Sequence, residues 1–343
     1  MRTFRELRGE QRPEAEPALF DAPVTVRTFD TPEFRDVTFY EVEAKSVLNR
    51  VPAASRLGFE WTINVYRGCT HACRYCFARP SHTYLNFGAG EDFERKIVVK
   101  VNAPEVLRRE LRRRSWKGTH VAMGTNTDPY QRCEGRYRLT RGVLEALRDY
   151  ANPCSILTKS PLLLRDLDLF VELVEMAGFA ANLSIGTLDE AVWRRTEPGT
   201  PHPRARMDAV KELNRAGVPC GVMIAPILPG ISDSPAQLRE VVRAAADAGA
   251  THVFPITLHL RPGVKEEFMP WLEREYPELV PGYRRVYRGS NAPKATREAI
   301  ADRVRAAKRR HPLPDHAAEP TTPRLTPNQP TPAEQPDQLS LLG

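Results

Sequence analysis

Long apolar runs are missing from this chain. No stretch of its 343 residues approaches the ~20 apolar residues that span a bilayer as a helix, so we expect no membrane helix. The opening residues, Met1 to Glu16, mix charges of both signs and lack the apolar centre of a secretory signal. Cysteine is scarce: there are six, and Cys133, Cys154 and Cys220 stand apart from one another. Isolated cysteines without an export signal argue against a disulfide framework and for a reducing, cytoplasmic setting. No recognisable DNA-binding module is present. Charge is not lacking: the formal net charge is +7, which weakly favours an anionic partner and says nothing of fold.

The other three cysteines are concentrated. Cys69, Cys73 and Cys76 lie within eight residues, spaced CxxxCxxC, directly after the apolar segment Phe59 to Tyr66. A strand that ends in a loop of three thiolates is a mount for a metal centre. The count of three is informative, because an iron–sulfur cubane usually takes four cysteines. Three leave one iron open for a small molecule. A Cys3His zinc site that recruits His71 fits less well, since structural zinc usually takes two separated ligand pairs. A disulfide fits less well still. No second cysteine cluster follows, so auxiliary iron–sulfur centres are not expected.

These three cysteines, with Tyr75 just before the last, resemble the signature of the radical SAM superfamily. The resemblance implies a [4Fe–4S] cluster on Cys69, Cys73 and Cys76. It also implies S-adenosyl-L-methionine (SAM) at the open iron, and reductive cleavage of SAM to a 5′-deoxyadenosyl radical. An electron donor such as a flavodoxin or ferredoxin is implied as well.

From residue 60 onward, strand and helix patterns alternate, which predicts a parallel sheet. Strands are expected at 60–66, 119–123, 154–158, 180–185, 220–227 and 251–258. Ile97 to Val101 is a further β-like run, and Val24 to Val26 and Val37 to Tyr40 are short ones. Helices are expected at 105–114, 141–150, 162–176, 204–216 and 234–248, with Asn102 and Thr140 as N-caps and Gly217 as a stop. Six β/α units predict an α/β fold: a partial (β/α)6 TIM-like barrel over residues 51–290. Residues 1–50 are expected to form an N-terminal extension covering one end of the core.

Such barrels place their chemistry at the C-terminal strand ends. Polar groups there include Gly124 to Tyr130, Thr158 to Ser160, Ser184 and Thr187, with Glu197 and Arg206 further on. A lysine or arginine suits a carboxylate, and Asp, Asn, Ser or Thr suits ribose hydroxyls. By the resemblance, Lys159, Ser184 and Arg206 are expected to hold SAM, with Asn126, Thr127, Asp128, Glu197 and Tyr75 beside them. Any one of them also reads as an ordinary turn or cap residue.

The resemblance covers roughly residues 45–280. Trp61 to Arg79, Lys100 to Pro104, Asn126 to Tyr130, Thr158 to Ser160 and Ala225 to Gly230 are similar to the spore photoproduct lyase-like branch, chiefly its uncharacterised bacterial members. In that branch the lyase repairs a thymine photodimer in DNA, with a cysteine as hydrogen donor. The resemblance places that donor just before an acidic residue at the end of the second strand. This chain has Thr125-Asn126-Thr127-Asp128 there. Cys133, five residues on, is either a substitute donor or a free loop cysteine.

Residues 291–310 read as a basic amphipathic helix, and Arg108 to Lys117 as a second basic cluster. Each is either a phosphate-binding face or a solvated one. From residue 311 to 343 the composition predicts a disordered tail. It ends Gln338-Leu339-Ser340-Leu341-Leu342, which resembles the short motif that docks repair proteins on the DNA sliding clamp. A clamp-recruited scaffold with a structural metal is therefore the rival reading to an enzyme acting on nucleic acid.

Overall fold

The computed structural model describes residues 24–52 and 58–314. Gln338 to Leu342 and most of the expected tail lie outside the described residues.

Eleven strands run through the described residues: β1 (Val24–Thr28), β2 (Thr38–Val42), β3 (Leu48–Arg50), β4 (Trp61–Ile63), β5 (Tyr66–Arg67), β6 (Lys96–Lys100), β7 (Val121–Met123), β8 (Cys154–Thr158), β9 (Phe179–Ser184), β10 (Cys220–Ile227) and β11 (Val253–Thr257). The larger sheet has the order β11-β10-β9-β8-β7-β4-β3. Strands β4 and β7 to β11 are parallel to their neighbours, and β3 is an antiparallel edge on β4. The parallel strands therefore sit in the order in which the chain lays them down. Because β–helix–β crossovers are right-handed, that order puts the connecting helices on one face. The helices are Ala103–Leu111, Leu139–Asp149, Leu167–Met176, Pro203–Arg215 and Pro235–Asp247. The opposite face becomes the inside of a partial (β/α)6 barrel.

The expected strand 60–66 is broken. It leaves the barrel after Ile63, and Tyr66–Arg67 joins a second sheet, β1-β2-β6-β5. Asn64 marks the break: its Oδ1 accepts from Asn126 N (3.0 Å) and its Nδ2 donates to Thr125 Oγ1 (3.2 Å). The first β-like runs and Ile97 to Val101 fall in this second sheet, while β3 adds directly to the barrel.

Of the two expected caps, Asn102 takes the N-cap position and Thr140 does not. Asn102 makes no side-chain cap. Its Oδ1 instead accepts from Ala44 N (2.8 Å) and its Nδ2 donates to Ala44 O (3.2 Å), stapling the segment after β2 to the core. Thr140 lies inside its helix, and its hydroxyl donates to Pro129 O (2.6 Å). Gly217, at φ +79°, follows the helix end as expected.

The helix Lys294–Arg310 buries Ile300, Val304 and Ala307, a one-sided stripe that packs on the helix Pro235–Asp247 and against β11. Arg303 Nη1 fixes it to Asp233 Oδ2 (2.8 Å).

Candidate active site

The cysteine loop begins where β5 ends. Gly68 takes φ +79° there, and a Cβ would come within 2.9 Å of Phe93 O and Ile97 Cδ1, so only glycine makes this turn without strain. Cys69 N donates to Phe93 O (2.9 Å), Ala72 N to Cys69 O (3.3 Å) and Cys76 N to Cys73 O (3.2 Å). The loop is clasped from the far side of the barrel as well. Arg74 N donates to Thr196 O (3.0 Å) and Gly199 N to His71 O (3.1 Å).

Two residues absent from the expected site hold the loop in place. Gln131 accepts from Thr70 N (3.0 Å) and donates to Gly68 O (3.1 Å). Arg79, buried, donates to Cys73 O (3.0 Å), to Gly90 O (2.9 Å) and to Glu94. Its place three residues after Cys76 is the only sequence signal. Gln131 has none, since the loop atoms it holds lie 61 and 63 residues away.

The three thiols open onto one cavity of about 200 Å³ inside the barrel mouth. None of them is in a disulfide. Tyr75, Asn126, Thr127, Asp128, Lys159 and Ser184 line the same cavity. Arg206 and Glu197 do not. They form a buried pair, Nη2 to Oε2 2.6 Å, and Tyr75 donates its hydroxyl to Glu197. The pair thereby holds Tyr75, which lies between Cys73 and Cys76. Cys133 is also displaced: it is fully buried in the core and does not line the cavity. The later strand ends contribute as well. Met223, Ala225, Pro226, Ile256, Thr257 and His259, in or just after the fifth and sixth parallel strands, complete the wall.

Asp128 is a hub. It accepts from Thr158 Oγ1 (2.6 Å), Lys159 N (2.8 Å) and Tyr130 N (2.9 Å). His71 Nδ1 faces it at 3.3 Å, close enough to attract but not aligned as a hydrogen bond. Burial alone would raise its pKa; His71 and the donated hydrogen bonds outweigh that and hold it down at about 2. Burial likewise pushes Glu197 up, and Arg206 and Lys159 pull it to about 2. Thr127 donates to Gly68 O (2.6 Å), so it braces the loop. Lys159 Nζ donates to Ser184 Oγ (2.7 Å), which donates to Ala225 O (2.8 Å). Lys159 thus holds its ammonium in the cavity, with no carboxylate among its hydrogen-bond partners.

The donor set fits an iron–sulfur cluster. Burial pushes all three thiols up, and bound metal reverses that by deprotonating a coordinating thiol outright. Among the described residues no three His, Cys, Asp or Glu side chains are placed to hold one shared ion, whereas a cubane offers each thiolate its own iron. His71, the fourth ligand of the zinc reading, is turned to Asp128.

The sequence pattern of the radical SAM superfamily matches residues 63–242. The chain belongs to that superfamily. Superfamily membership makes it an enzyme and implies a [4Fe–4S] cluster and SAM. It is 49% identical over 280 residues to the uncharacterized protein Rv2578c of Mycobacterium tuberculosis (strain H37Rv), covering 81% of this chain and 82% of that one. It is 30% identical to the uncharacterized protein MJ0683 of Methanocaldococcus jannaschii, covering 71% and 85%. Its fold is similar to that of spore photoproduct lyase complexed with dinucleoside spore photoproduct, with a TM-score of 0.56 and 17% identity over 80% of this chain and 79% of that one. Among the described residues no helix is long and apolar enough to cross a membrane.

Proposed function

We propose that this radical SAM enzyme holds its [4Fe–4S] cluster on Cys69, Cys73 and Cys76 and acts on a nucleic-acid base, as a lyase or a related DNA-lesion enzyme. The observation that carries the reading is the meeting of three unpaired thiols with Lys159, Ser184 and Asn126 around one cavity. When bound, the cluster would supply the electron for a reductive, radical-forming cleavage of SAM. The chain's own residues do the rest. Lys159 offers an ammonium to the SAM carboxylate. Asn126 and Ser184 offer amide and hydroxyl groups to the remaining polar atoms. Glu197, Arg206 and Asp128 keep the walls fixed while the cofactors exchange.

Three things support a nucleic-acid substrate: the net charge of +7, the basic helix beside the cavity, and a fold shared with a lyase whose structure contains a dinucleoside photoproduct. Reduction by a flavodoxin or ferredoxin, and recruitment to the sliding clamp through Gln338 to Leu342, complete the proposal. Titrating a tail peptide against the clamp tests the recruitment step, and absence of binding at high micromolar concentration removes it.

The enzyme is tested on anaerobically reconstituted protein reduced with dithionite. Added SAM is expected to yield 5′-deoxyadenosine with the wild type and none with Cys73→Ala. Zinc in place of iron, with no product, would overturn the reading in favour of a scaffold.

A further inference from the structure

Beside the catalytic cavity lies a second, more open groove of about 540 Å³, lined by residues that include Phe254, Ile256, Asn291, Lys294, Arg297 and Glu298. Ile256, Thr257 and His259 line both spaces, so the groove continues the cavity outward. We propose that this groove is a subsite for the flank of a single-stranded nucleic acid, with a base on Phe254 and backbone phosphate at Lys294 and Arg297. The inference rests on the nucleic-acid reading above and deepens it.

The sequence builds the groove from two elements. β11 closes the sheet on one side and, among the described residues, pairs with β10 alone. Alternate residues of a strand share a face, about 6.7 Å apart. On β11 those residues are Phe254 and Ile256, 56% and 38% exposed. That repeat is comparable to the reach of one extended nucleotide. A large exposed aromatic and an exposed isoleucine in a row are hard to account for as core. The facing element is the start of the helix Lys294–Arg310. The pairing of His259 Nδ1 with Asn291 Oδ1 (2.9 Å) and of Leu260 N with Ser290 O (2.8 Å) ties it to the end of β11. The two sides of the groove are therefore one rigid unit.

The charges fit a polyanion. Lys294 Nζ lies 3.6 Å from Glu298, but its side chain is 81% exposed, and such surface pairs hold weakly. Arg297 Nε donates to Ala292 O (3.1 Å), which orients the guanidinium. Two cations against one carboxylate, next to an aromatic face, is the pattern by which single strands are bound.

Two other occupants fit less well. A peptide adding a strand to β11 needs backbone donors along it, and Pro255 at its centre has none. An intact duplex keeps its base faces stacked inside, where Phe254 cannot meet them.

The test is fluorescence anisotropy on the reconstituted holoenzyme, with labelled single-stranded DNA and RNA oligonucleotides of one sequence and the matching DNA duplex. Phe254→Ala is expected to weaken single-strand binding roughly 5- to 150-fold, the range set by loss of one stacked base. Lys294→Glu with Arg297→Glu is expected to weaken it and to flatten the slope of log affinity on log salt by about 1.4, for two lost phosphate contacts. Arg109→Glu with Arg113→Glu, an equal charge change on another face, should leave binding near the wild-type value. Every variant should keep the wild-type unfolding midpoint and its substrate-free formation of 5′-deoxyadenosine.

Groove variants that bind like the wild type, equal loss in the Arg109/Arg113 pair, or binding of duplex alone would each overturn this subsite and leave a nucleic-acid substrate standing. No binding of any oligonucleotide, with 5′-deoxyadenosine still formed, would overturn both the subsite and the substrate class, and leave the radical chemistry standing.

Discussion

The cavity has two walls built in opposite ways. One comes from the cysteine loop and the ends of β7 and β8. Two of its polar groups are occupied by protein: Asp128 accepts three hydrogen bonds, and Thr127, with Gln131 behind it, grips Gly68 O. The other comes from β10 and β11. There Met223, Ala225, Pro226, Ile256 and Leu258 face the cavity and offer apolar surface. The first wall is fixed before any ligand arrives, as a cluster mount must be. The second can take ligands of different shape. Lys159 and Ser184 sit at the seam between them.

If the first wall is a fixed frame, its hub should be the costliest residue to lose. Asp128→Ala strips the partner from Thr158 Oγ1 and from two backbone amides in a buried site. The expected loss of stability is about 3–5 kcal/mol, the range for breaking a buried charged contact, read by denaturant unfolding of the metal-free protein. A loss under about 1 kcal/mol would mean that the wall is not held by this residue.

The next effect separates charge from shape. Asp128 is held at about 2, below its ordinary value near 3.9. The folded state therefore binds this proton more weakly than the unfolded chain. The linked stability is fully present above about pH 4 and is lost as pH falls toward 2. Its size is on the order of 2 kcal/mol. In Asp128→Asn, the drop in unfolding free energy between pH 6 and pH 2.5 should shrink by that amount. An unchanged pH profile would show that Asp128 contributes hydrogen bonds alone.

At the seam the effect should be smaller and appear in binding. Ser184→Ala removes the acceptor of Lys159 Nζ and leaves the ammonium to swing. One hydrogen bond of about 1 kcal/mol corresponds to roughly fivefold weaker SAM binding to the reconstituted protein. Stability should hardly move. Unaltered SAM affinity would detach Lys159 from the cofactor.

How far each wall is legible in the sequence follows from the range of its interactions. The cysteine loop is read from spacing within eight residues, and the barrel from local alternation in which strands follow in chain order. Lys159 and Ser184 are reached by the rule that chemistry sits at strand ends. The same rule, carried on to β10 and β11, reaches Ala225, Pro226, Thr257 and His259. What local pattern does not show is who bonds whom across the fold. Asn102 reads as a cap, yet it holds Ala44, 58 residues away. Cys133 reads as a loop thiol near the site, yet its helical turn faces it into the core. Strand 60–66 reads as continuous because its apolar pattern is unbroken, and only the pairing of Tyr66 with Val99 shows that it changes sheets.

The smallest effect tests the open wall directly. Ile63 ends β4 on the fixed side and is 1% exposed; truncation to alanine there should cost about 2–5 kcal/mol, as in any closed core. Ile256 is the same residue type near the end of a parallel strand on the other side. Because it already meets solvent, Ile256→Ala loses little buried area and leaves no closed cavity. Its cost should stay below about 1 kcal/mol. Paired unfolding curves of the two variants give the difference without reference to any ligand. If Ile256→Ala costs as much as Ile63→Ala, the second wall is closed core and leaves no surface for a substrate. If the two separate as expected, the side of the barrel under β11 is held together by something other than Ile256, and that side chain is free to serve whatever enters the cavity.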